Sequence, residues 1–587
     1  MPGAGPAYCS VVLPVAVPRA FDYAIPPTLR GVLREGCRVR VPFGNRIAVG
    51  YCVALREEAG HTSPKPILEV LDAEPILDPH LVDLGRWIAR RYAASWGEVL
   101  QAMLPGGVRG GVHSARHRVL KATAAAPRDA DLEALDRKAP AQAKVMRLVL
   151  DSGGELPVAR LASRERAAAR ALVERGWIEE AEGAPTPPDL PSEPEPPPPD
   201  LTVAQRDVCA AVLGALGSYR RFVLEGVTGS GKTEVYLRSL AETIRRGEQG
   251  LMLIPEIALT PQTERRIRAR FERVAVLHSQ LAEGDRAAAW RAAADGRIDV
   301  VVGARSAVFT PFRRLGLIVI DEEHEPSYKQ DNKPRYDARA VADRRAQVLS
   351  IPLVVGSATP SLESFHDAVE GRSTLLRLPD RVAGGALPPV DVVDLRVAAA
   401  DRKGWRVISI PLLSALRDAL AEKRQAILFL NRRGYATAIC CRRCGFVLRC
   451  RHCAVALVHH ADRGRALCHY CAWSEPPPAS CPECSFPQMA LIGAGTERVA
   501  KELARFLPEA RIRTFDADAT RFRGAHAQIL DAFRREEIDI LVGTQMVAKG
   551  LDFPNVTVVG VISCDTQLHL PDLRAAERTF QLLAQVA

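Results

Sequence analysis

Between residues 8 and about 105, β-branched and polar residues alternate in short runs such as Cys37 to Pro42 and Ile47 to Val53, each bounded by Gly or Pro. A period of two puts apolar side chains on one face of an extended strand, so this stretch predicts a small β-rich domain. From 141 to 180 the period lengthens. Val145, Leu148 and Val149 mark one helix face, Gly153-Gly154 a turn, a second helical stretch follows, and Gly176-Trp177-Ile178 closes the segment. That succession fits a winged helix and equally a plain helical hairpin. Ala184 to Asp200 (APTPPDLPSEPEPPPPD) cannot form a helix or a central strand and reads as an extended, semi-rigid spacer. Beyond it, strand-length apolar runs alternate with helical patterns, the signature of an open α/β sheet.

Composition narrows the setting. The 587 residues suffice for several domains, and a formal net charge of +10 with a pI near 9.0 favours a polyanionic partner, although basic balance is also a solubility device. No apolar run reaches membrane-spanning length, the start from Met1 to Pro6 has no basic segment, and the apolar stretch Val11 to Val17 is interrupted by Pro14. The expectation is a soluble, cytoplasmic protein with no membrane partner.

The strongest local chemistry lies after the spacer. Arg221-Phe-Val-Leu-Glu runs as an apolar strand into Gly226-Val-Thr228-Gly229-Ser230-Gly231-Lys232-Thr233, and then into a helical pattern. This is a phosphate cradle: backbone N–H groups around Gly229 and Gly231 face a β-phosphate, Lys232 offsets β/γ charge, and the Thr233 hydroxyl completes a Mg²⁺ shell. A second apolar strand, Leu317 to Ile320, delivers Asp321-Glu322-Glu323-His324 at its carboxyl end. Asp321 is expected to hold Mg²⁺ and Glu322 to take a proton from the attacking water. Upstream, Thr202 and Gln205 make a capping box, or Gln205 reads the N6/N7 edge of adenine. The set implies ATP as substrate with Mg²⁺.

Four Cys-x-x-Cys pairs, Cys441/Cys444, Cys450/Cys453, Cys468/Cys471 and Cys481/Cys484, crowd into one short stretch. Eight thiolates supply two closed tetrahedral zinc sites. A disulfide framework is the other reading, which an ATPase kept in a reducing compartment disfavours. The gap between Cys453 and Cys468 suits a zinc ribbon, so Cys450, Cys453, Cys468 and Cys471 form an inner site and the outer pairs clamp the base. Cys440, His452, His459, His460 and His469 remain as spares, any histidine being able to replace a thiolate.

Further motifs follow in order: Ile254-Pro-Glu-Ile-Ala-Leu-Thr260, Gly303-Ala-Arg305-Ser306, Gly356-Ser357-Ala358-Thr359, Gly495-Thr496-Glu497-Arg498, and Gly543-Thr544-Gln545 through Lys549-Gly550-Leu-Asp552. Together they point to a two-lobed RecA-like motor of superfamily 2. Tyr328, Lys329, Arg335 and Tyr336 interleave aromatic and basic character after the DEEH motif, for stacking on single-stranded bases or for ordinary packing.

With GVTGSGKTE, LIPEIALTPQ, DEEH, GSATPSLES, FLNRRGYA, the eight-cysteine insertion, GTERV and VGTQMVAKGLDFPNV, the chain resembles the PriA family of replication-restart DNA helicases over nearly its whole length. The front motifs Pro18 to Tyr23 and Gly36 to Gly44 resemble that family's domain for the 3′ end of a nascent strand. The resemblance implies a multidomain α/β chain: a 3′-end-binding β-rich domain (1–110), a winged helix (111–183), a linker (184–200), an ATP-binding lobe (201–380), and a second lobe (381–587) with a zinc insertion (438–487). It carries the DNA-end pocket onto Phe21, Asp22, Gly44 and Lys65. It implies ATP-driven 3′-to-5′ translocation, branched fork and single-stranded DNA as ligands, and primosome proteins and single-stranded-DNA-binding protein as partners. The family pattern continues past Gln585-Val-Ala with a Gly-Arg-Ala-Gly-Arg motif whose arginines reach the γ-phosphate, so the expectation for these 587 residues is nucleotide binding with slow turnover. The second functional reading is a fork-binding and primosome-assembly protein with little motor activity; a double-stranded-DNA translocase is a third.

Overall fold

The computed structural model describes the chain except residues 1–5, 61–62, 110–117, 124, 128–131, 133–134, 137, 152–154, 159–160, 162, 183–199, 257–260, 280, 383, 385–387, 396–399, 402–403, 406, 431–437, 442, 461–463, 488, 493–495, 516–524, 544–552, 563, 571 and 587. The proline-rich spacer, FLNRRGYA from position 431, Gly495, and the stretch Thr544 to Asp552 therefore lie outside the described residues, as does the end of the motif at 254–260. The chain divides into two compact units. One holds Met1–Leu224, Lys232–Gly356 and Ala368–Arg377; the other holds Glu225–Gly231, Ser357–Asp367 and Leu378–Ala587.

In the first unit, the alternating N-terminal runs form a five-stranded sheet in the order Phe21–Ala24, Tyr8–Val12, Arg46–Arg56, Arg38–Phe43, Glu69–Val70, with antiparallel pairing throughout. Its inner face buries Cys9, Val11, Val39, Val41 and Cys52. Two helices, Pro79–Arg91 and Trp96–Met103, follow. The first starts cleanly because the Asp78 carboxylate accepts from Leu81 N at 2.7 Å and Pro79 supplies a first-turn residue that needs no amide donor. Their apolar faces do not close on the sheet alone. Leu81, Leu84, Ile88, Val99 and Leu100 share one core with Val223, Leu251, Val301 and Ile318, so the N-terminal domain is welded to the neighbouring α/β sheet by apolar burial.

That α/β sheet has seven strands, in the order Val274–Leu277, Val300–Gly303, Gln249–Leu253, Leu315–Ile320, Leu353–Ser357, Arg221–Gly226, Thr374–Leu378. The registered pairs among the first five strands are parallel. Helices on both faces leave the central strands buried along their length, which is why they read as unbroken apolar runs. Between the two domains, Arg118–Ala122, Glu155–Pro157 and Ile178–Glu182 form an antiparallel sheet packed on helices Pro140–Asp151 and Ser163–Glu174. The three strands rule out a plain helical hairpin and are compatible with a winged helix.

The second unit contains a parallel sheet, ordered Ile512–Phe515, Ile540–Gly543, Gln425–Leu430, Val556–Ile562. Into it is inserted a five-stranded antiparallel sheet of two- and three-residue strands running from Ala438–Cys440 to Ala490–Ile492. Among the described residues no helix is long and apolar enough to cross a membrane.

Candidate functional site

The phosphate loop begins where the strand Arg221–Gly226 ends, and the helix Lys232–Arg245 starts at the lysine itself. Gly229 and Gly231 have φ of +80° and +78°, the left-handed conformation that turns successive amides toward one point. Lys232 is buried, and its ammonium acts on Asp321. Burial pushes the Asp321 carboxyl up, while Lys232, the Glu322 amide and the Tyr236 hydroxyl pull it back toward the charged form. Asp321 N donates to Leu253 O at 2.9 Å, fixing the motif to the neighbouring strand.

Glu322 stands at φ +46°, a strained position for a residue with a side chain, and strain of that kind persists only where the surroundings impose it. Its Oε2 lies 3.5 Å from His324 Nδ1, and His324 Nε2 lies 3.6 Å from Glu325 Oε1. The buried imidazole thus sits between two carboxylates. The loop behind is braced by Glu323 N donating to Gly356 O at 3.0 Å and by Arg305 donating to Ser327 O and Lys329 O at 3.0 and 2.9 Å. Chemically, the acidic pair offers one carboxylate for a metal and one for a proton.

Three other motif residues, Gln205, Tyr328 and Tyr336, have structural duties. The Gln205 side-chain oxygen accepts from Thr202 N at 2.9 Å while Gln205 N donates to Thr202 Oγ1 at 3.2 Å, a complete capping box. Tyr328 and Tyr336 are 1% and 2% exposed: the Tyr328 hydroxyl donates to Asp321 O at 2.6 Å, and Tyr336 packs edge-on to Phe309. Both rings pack in the core and are closed to base stacking. Alternating aromatic and basic residues are ambiguous between those roles, and only Lys329 and Arg335 are exposed. The Lys329 ammonium lies 4.7 Å from the centre of the Tyr92 ring, contributed by the N-terminal domain.

In that N-terminal domain, Ser10 Oγ donates to Asp22 Oδ1 at 2.7 Å and Gly60 N donates to Oδ2 at 2.9 Å. These bonds hold the Asp22 carboxylate in one orientation. Phe21 meets Phe43 edge-to-face at 5.3 Å, with Arg19 over one ring and Arg46 over the other. Gly44, at φ +60°, opens the two-residue turn that joins Phe43 to Arg46, and the turn lines an open depression with Phe43, Asn45 and Arg46. Lys65 is exposed, its carbonyl accepting from Ala24 N at 3.0 Å, which pins its segment beside the strand that carries Phe21 and Asp22. Phe43, Arg46 and Ser10 were not singled out in the sequence. The Phe43-Gly44 dipeptide and the register of Ser10 with Asp22 were the signals available.

The eight thiols gather into two groups, Cys441, Cys444, Cys481 and Cys484, and Cys450, Cys453, Cys468 and Cys471, with all sulfurs of a group within 4.8 Å. The sulfur separations Cys441–Cys484, Cys444–Cys481 and Cys450–Cys471 are each 3.6 Å. A tetrahedron with metal–sulfur bonds near 2.3 Å has edges of roughly 3.8 Å, so both groups fit zinc. Each pair is one turn of the same knuckle: the residue after the second cysteine donates its amide to the first cysteine's carbonyl, from Gly445, Ala454, Ala472 and Ser485 at 2.9, 2.9, 2.9 and 3.0 Å. Burial raises the Cys441 thiol, but the amides of Cys444 and Arg443 outweigh it and hold the group at about 7; the amides of Cys471 and Tyr470 do the same for Cys468. The histidines stay outside both groups, His452 edge-on to Trp473 and His460 Nε2 3.2 Å from His469 Nε2.

Comparison with known proteins agrees with this geometry. Residues 10–105 match the family model for a 3′ DNA-binding domain, 202–368 a DEAD/DEAH box helicase, 450–476 the Cys-rich region of PriA DNA helicases, and 485–579 the conserved C-terminal helicase domain. The replication restart protein PriA of Bacillus subtilis is 38% identical over 97% of the chain and 80% of its own length. The Haemophilus influenzae protein is 35% identical over 98% and 79%, and that of Synechocystis 47% identical over 66% and 48%. An end-binding sheet, a phosphate loop with DEEH, and a Cys-rich zinc insertion, matched in that order across almost all of the chain, place this protein in the PriA family of replication restart DNA helicases.

Proposed function

We propose that this chain hydrolyses ATP to move 3′ to 5′ on DNA, recognises stalled or abandoned forks through the 3′ end of a nascent strand, and starts primosome assembly there. The observation that supports this most is the single apolar core joining the helices behind the Asp22 sheet to the sheet that carries Asp321. End recognition and nucleotide chemistry reside in one packed body, which suits a motor that must be positioned by a fork before it moves. A protein that only assembled partners would have no use for Lys232, Asp321 and a strained Glu322.

In this reading residues 1–110 bind the 3′ end, 111–183 form a DNA-contacting winged helix, 184–200 a spacer, and 201–380 and 381–587 the two lobes, with the insertion at 438–487. Gly226, Thr228, Gly229, Ser230, Gly231, Lys232 and Thr233 hold the phosphates; Thr233 and Asp321 hold Mg²⁺, which supplies charge neutralisation on the phosphates. Glu322 takes the proton of the attacking water, with His324 beside it to orient the carboxylate. Gln205, whose side-chain oxygen caps the helix, presents its amide to the adenine edge. Each chain binds two zinc ions through its eight thiolates. Phe21 and Gly44 admit the terminal nucleotide, Asp22 accepts from its 3′-hydroxyl and Lys65 meets a phosphate. Primosome proteins and single-stranded-DNA-binding protein are the partners, and the cytoplasm the compartment.

The test is fork binding with leading strands that end in a 3′-hydroxyl or a 3′-phosphate. A 3′-phosphate removes the donor and sets like charge against Asp22, so wild type should prefer the hydroxyl by about tenfold or more, the value of one charge-assisted hydrogen bond. Asp22→Ala should bind both forks alike. Equal binding by wild type, or an unchanged preference in Asp22→Ala, would remove Asp22 from the pocket.

A further inference from the structure

The segment that leaves the last strand of the seven-stranded sheet runs directly along the phosphate loop. Val227 N donates to Leu378 O at 3.3 Å, and Val382 N donates to Gly229 O at 3.0 Å, so residues 378–382 bond the loop on both sides of its apex. Between those two bonds lies Arg381. Its Cγ and Cδ come within 3.8 and 4.0 Å of where a side chain on Gly229 would begin. The arginine stem therefore crosses the loop at the glycine whose positive φ turns its backbone toward the nucleotide phosphates. The same proximity groups Glu225–Gly231 with Leu378–Ala587 in one compact unit, apart from most of the sheet to which the loop is covalently joined.

From this geometry we infer that Arg381 is a nucleotide-binding residue, contacting the β- or γ-phosphate of a nucleotide seated on the loop. The inference rests on the reading of residues 226–233 as an ATP site. A guanidinium one or two bonds beyond Cδ reaches a ligand seated on the amides of Gly229 and Gly231. Its planar donors suit two phosphate oxygens at once, which an ammonium such as Lys232 cannot match. Because Arg381 belongs to the segment bonded to the loop, a phosphate held by it ties that segment to the nucleotide. Val382 N and Val227 N then keep the segment registered on the loop while the nucleotide is bound.

Equilibrium binding of AMP, ADP and a non-hydrolysable ATP analogue to wild type, Arg381→Gln, Arg381→Lys and Lys232→Ala tests the assignment. Gln retains the stem that covers Gly229 and removes the charge, which separates the phosphate contact from packing. The expected result is a loss of about ten- to a hundredfold for ADP and the ATP analogue in Arg381→Gln, the scale of a hydrogen bond to a charged group, with less than threefold for AMP. Arg381→Lys should recover part of it. A similar loss for all three nucleotides would mean that Arg381 only shapes the loop, and binding equal to wild type would mean that it makes no contact; either overturns the inference. If wild type and Lys232→Ala bind ADP equally poorly, the ATP-site reading itself fails, a result distinct from a defect confined to Arg381.

Discussion

The seven-stranded sheet and the cysteine-rich insertion hold functional groups by opposite means. In the sheet, the strands Gln249–Leu253, Val300–Gly303, Leu315–Ile320 and Leu353–Ser357 are buried from end to end, and the loops that carry Lys232 and Asp321 are fixed by apolar burial behind them. The insertion has strands of two or three residues, and its larger core consists of Ile439, Leu448, Cys450, Leu457, Ala466 and Cys468. Two of those six core residues are thiols that face the inner sulfur cluster. A segment so poor in apolar volume cannot offset the ordering of its own backbone, at about 1–2 kcal/mol per residue, without a metal. The lesson is that the sheet's chemistry depends on packing and the insertion's packing depends on chemistry.

The largest effect should come from breaking the metal side of this contrast. Apparent zinc binding energies of about 10–16 kcal/mol per structural site act as folding energy where no preformed site exists. Chelation, or Cys468→Ser with Cys450→Ser, should expose residues 438–492 to protease while the seven-stranded sheet keeps its protection from hydrogen exchange. Elemental analysis should give two zinc ions per chain before treatment. One ion per chain, or an insertion that resists protease after chelation, would contradict the two-site reading.

Breaking the apolar side gives the reverse pattern. Ile318 is fully buried in the strand that delivers Asp321, within the core shared with the N-terminal helices. Ile318→Ala should cost about 2–5 kcal/mol of stability in the first unit, through lost transfer energy and the cavity left behind. Its zinc content should be unchanged. Denaturant unfolding monitored together with zinc release separates the two, and simultaneous loss of both would erase the distinction between the regions.

What was legible in the sequence follows the same division. The phosphate loop, DEEH and the four Cys-x-x-Cys pairs are local patterns legible from their spacing, and the structure gathers the eight thiols into the two groups that the spacing between pairs suggested. The shared core of the N-terminal helices and the motor sheet was not legible, because apolar positions such as Leu84 and Ile88 name a buried face and not the partner that buries it. The same holds for Tyr328 and Tyr336, whose burial depends on strands far away in sequence. Arg345, fully buried with its guanidinium donating to Val308 O and Thr310 O at 2.8 Å each, carried no sequence signal at all. An arginine on a helix is ordinarily a solvated one.

Arg345 also sharpens the comparison through pH, since it faces His80 at the start of the N-terminal domain's first helix. Burial, then the Arg345 charge, pushes the His80 imidazole down to about 4, with Asp78 and Asp83 opposing and Arg344 adding to the fall. The folded pKa lies below the ordinary value near 6.5, so between those values the unfolded chain binds the proton and the folded chain resists it. Stability from this group is complete above pH 6.5 and is lost as pH falls toward 4. With the ring partly exposed, screening reduces the effect to about 1–2 kcal/mol. Urea midpoints of wild type and His80→Gln should diverge as pH drops from 7 to 5, wild type losing more; parallel curves would show that His80 does not link the interface to pH.

The smallest expected effect lies within the zinc knuckles and has a sign that depends on whether glycine already occupies the turn. The residue after each second cysteine has positive φ: Gly445 at +82°, Ala454 at +56°, Ala472 at +61° and Ser485 at +56°. Only Gly445 occupies that conformation without a Cβ penalty, which for other residues is about 1–2 kcal/mol. Ala454 and Ala472 are exposed, so replacing either with glycine removes strain and sacrifices no packing, while extra flexibility in the unfolded chain returns about 0.5–1 kcal/mol of the gain. Ala454→Gly and Ala472→Gly should each retain zinc at the inner site slightly better, by about 0.5 kcal/mol or twofold in chelator concentration. Gly445→Ala should loosen the outer site by more, since strain is added to a position now free of it. Chelator titration of the three variants reads both sites, and a gain from Gly445→Ala equal to that from Ala472→Gly would show that the amide bonds to Cys441 and Cys468, not the left-handed turns, set the strength of the knuckles.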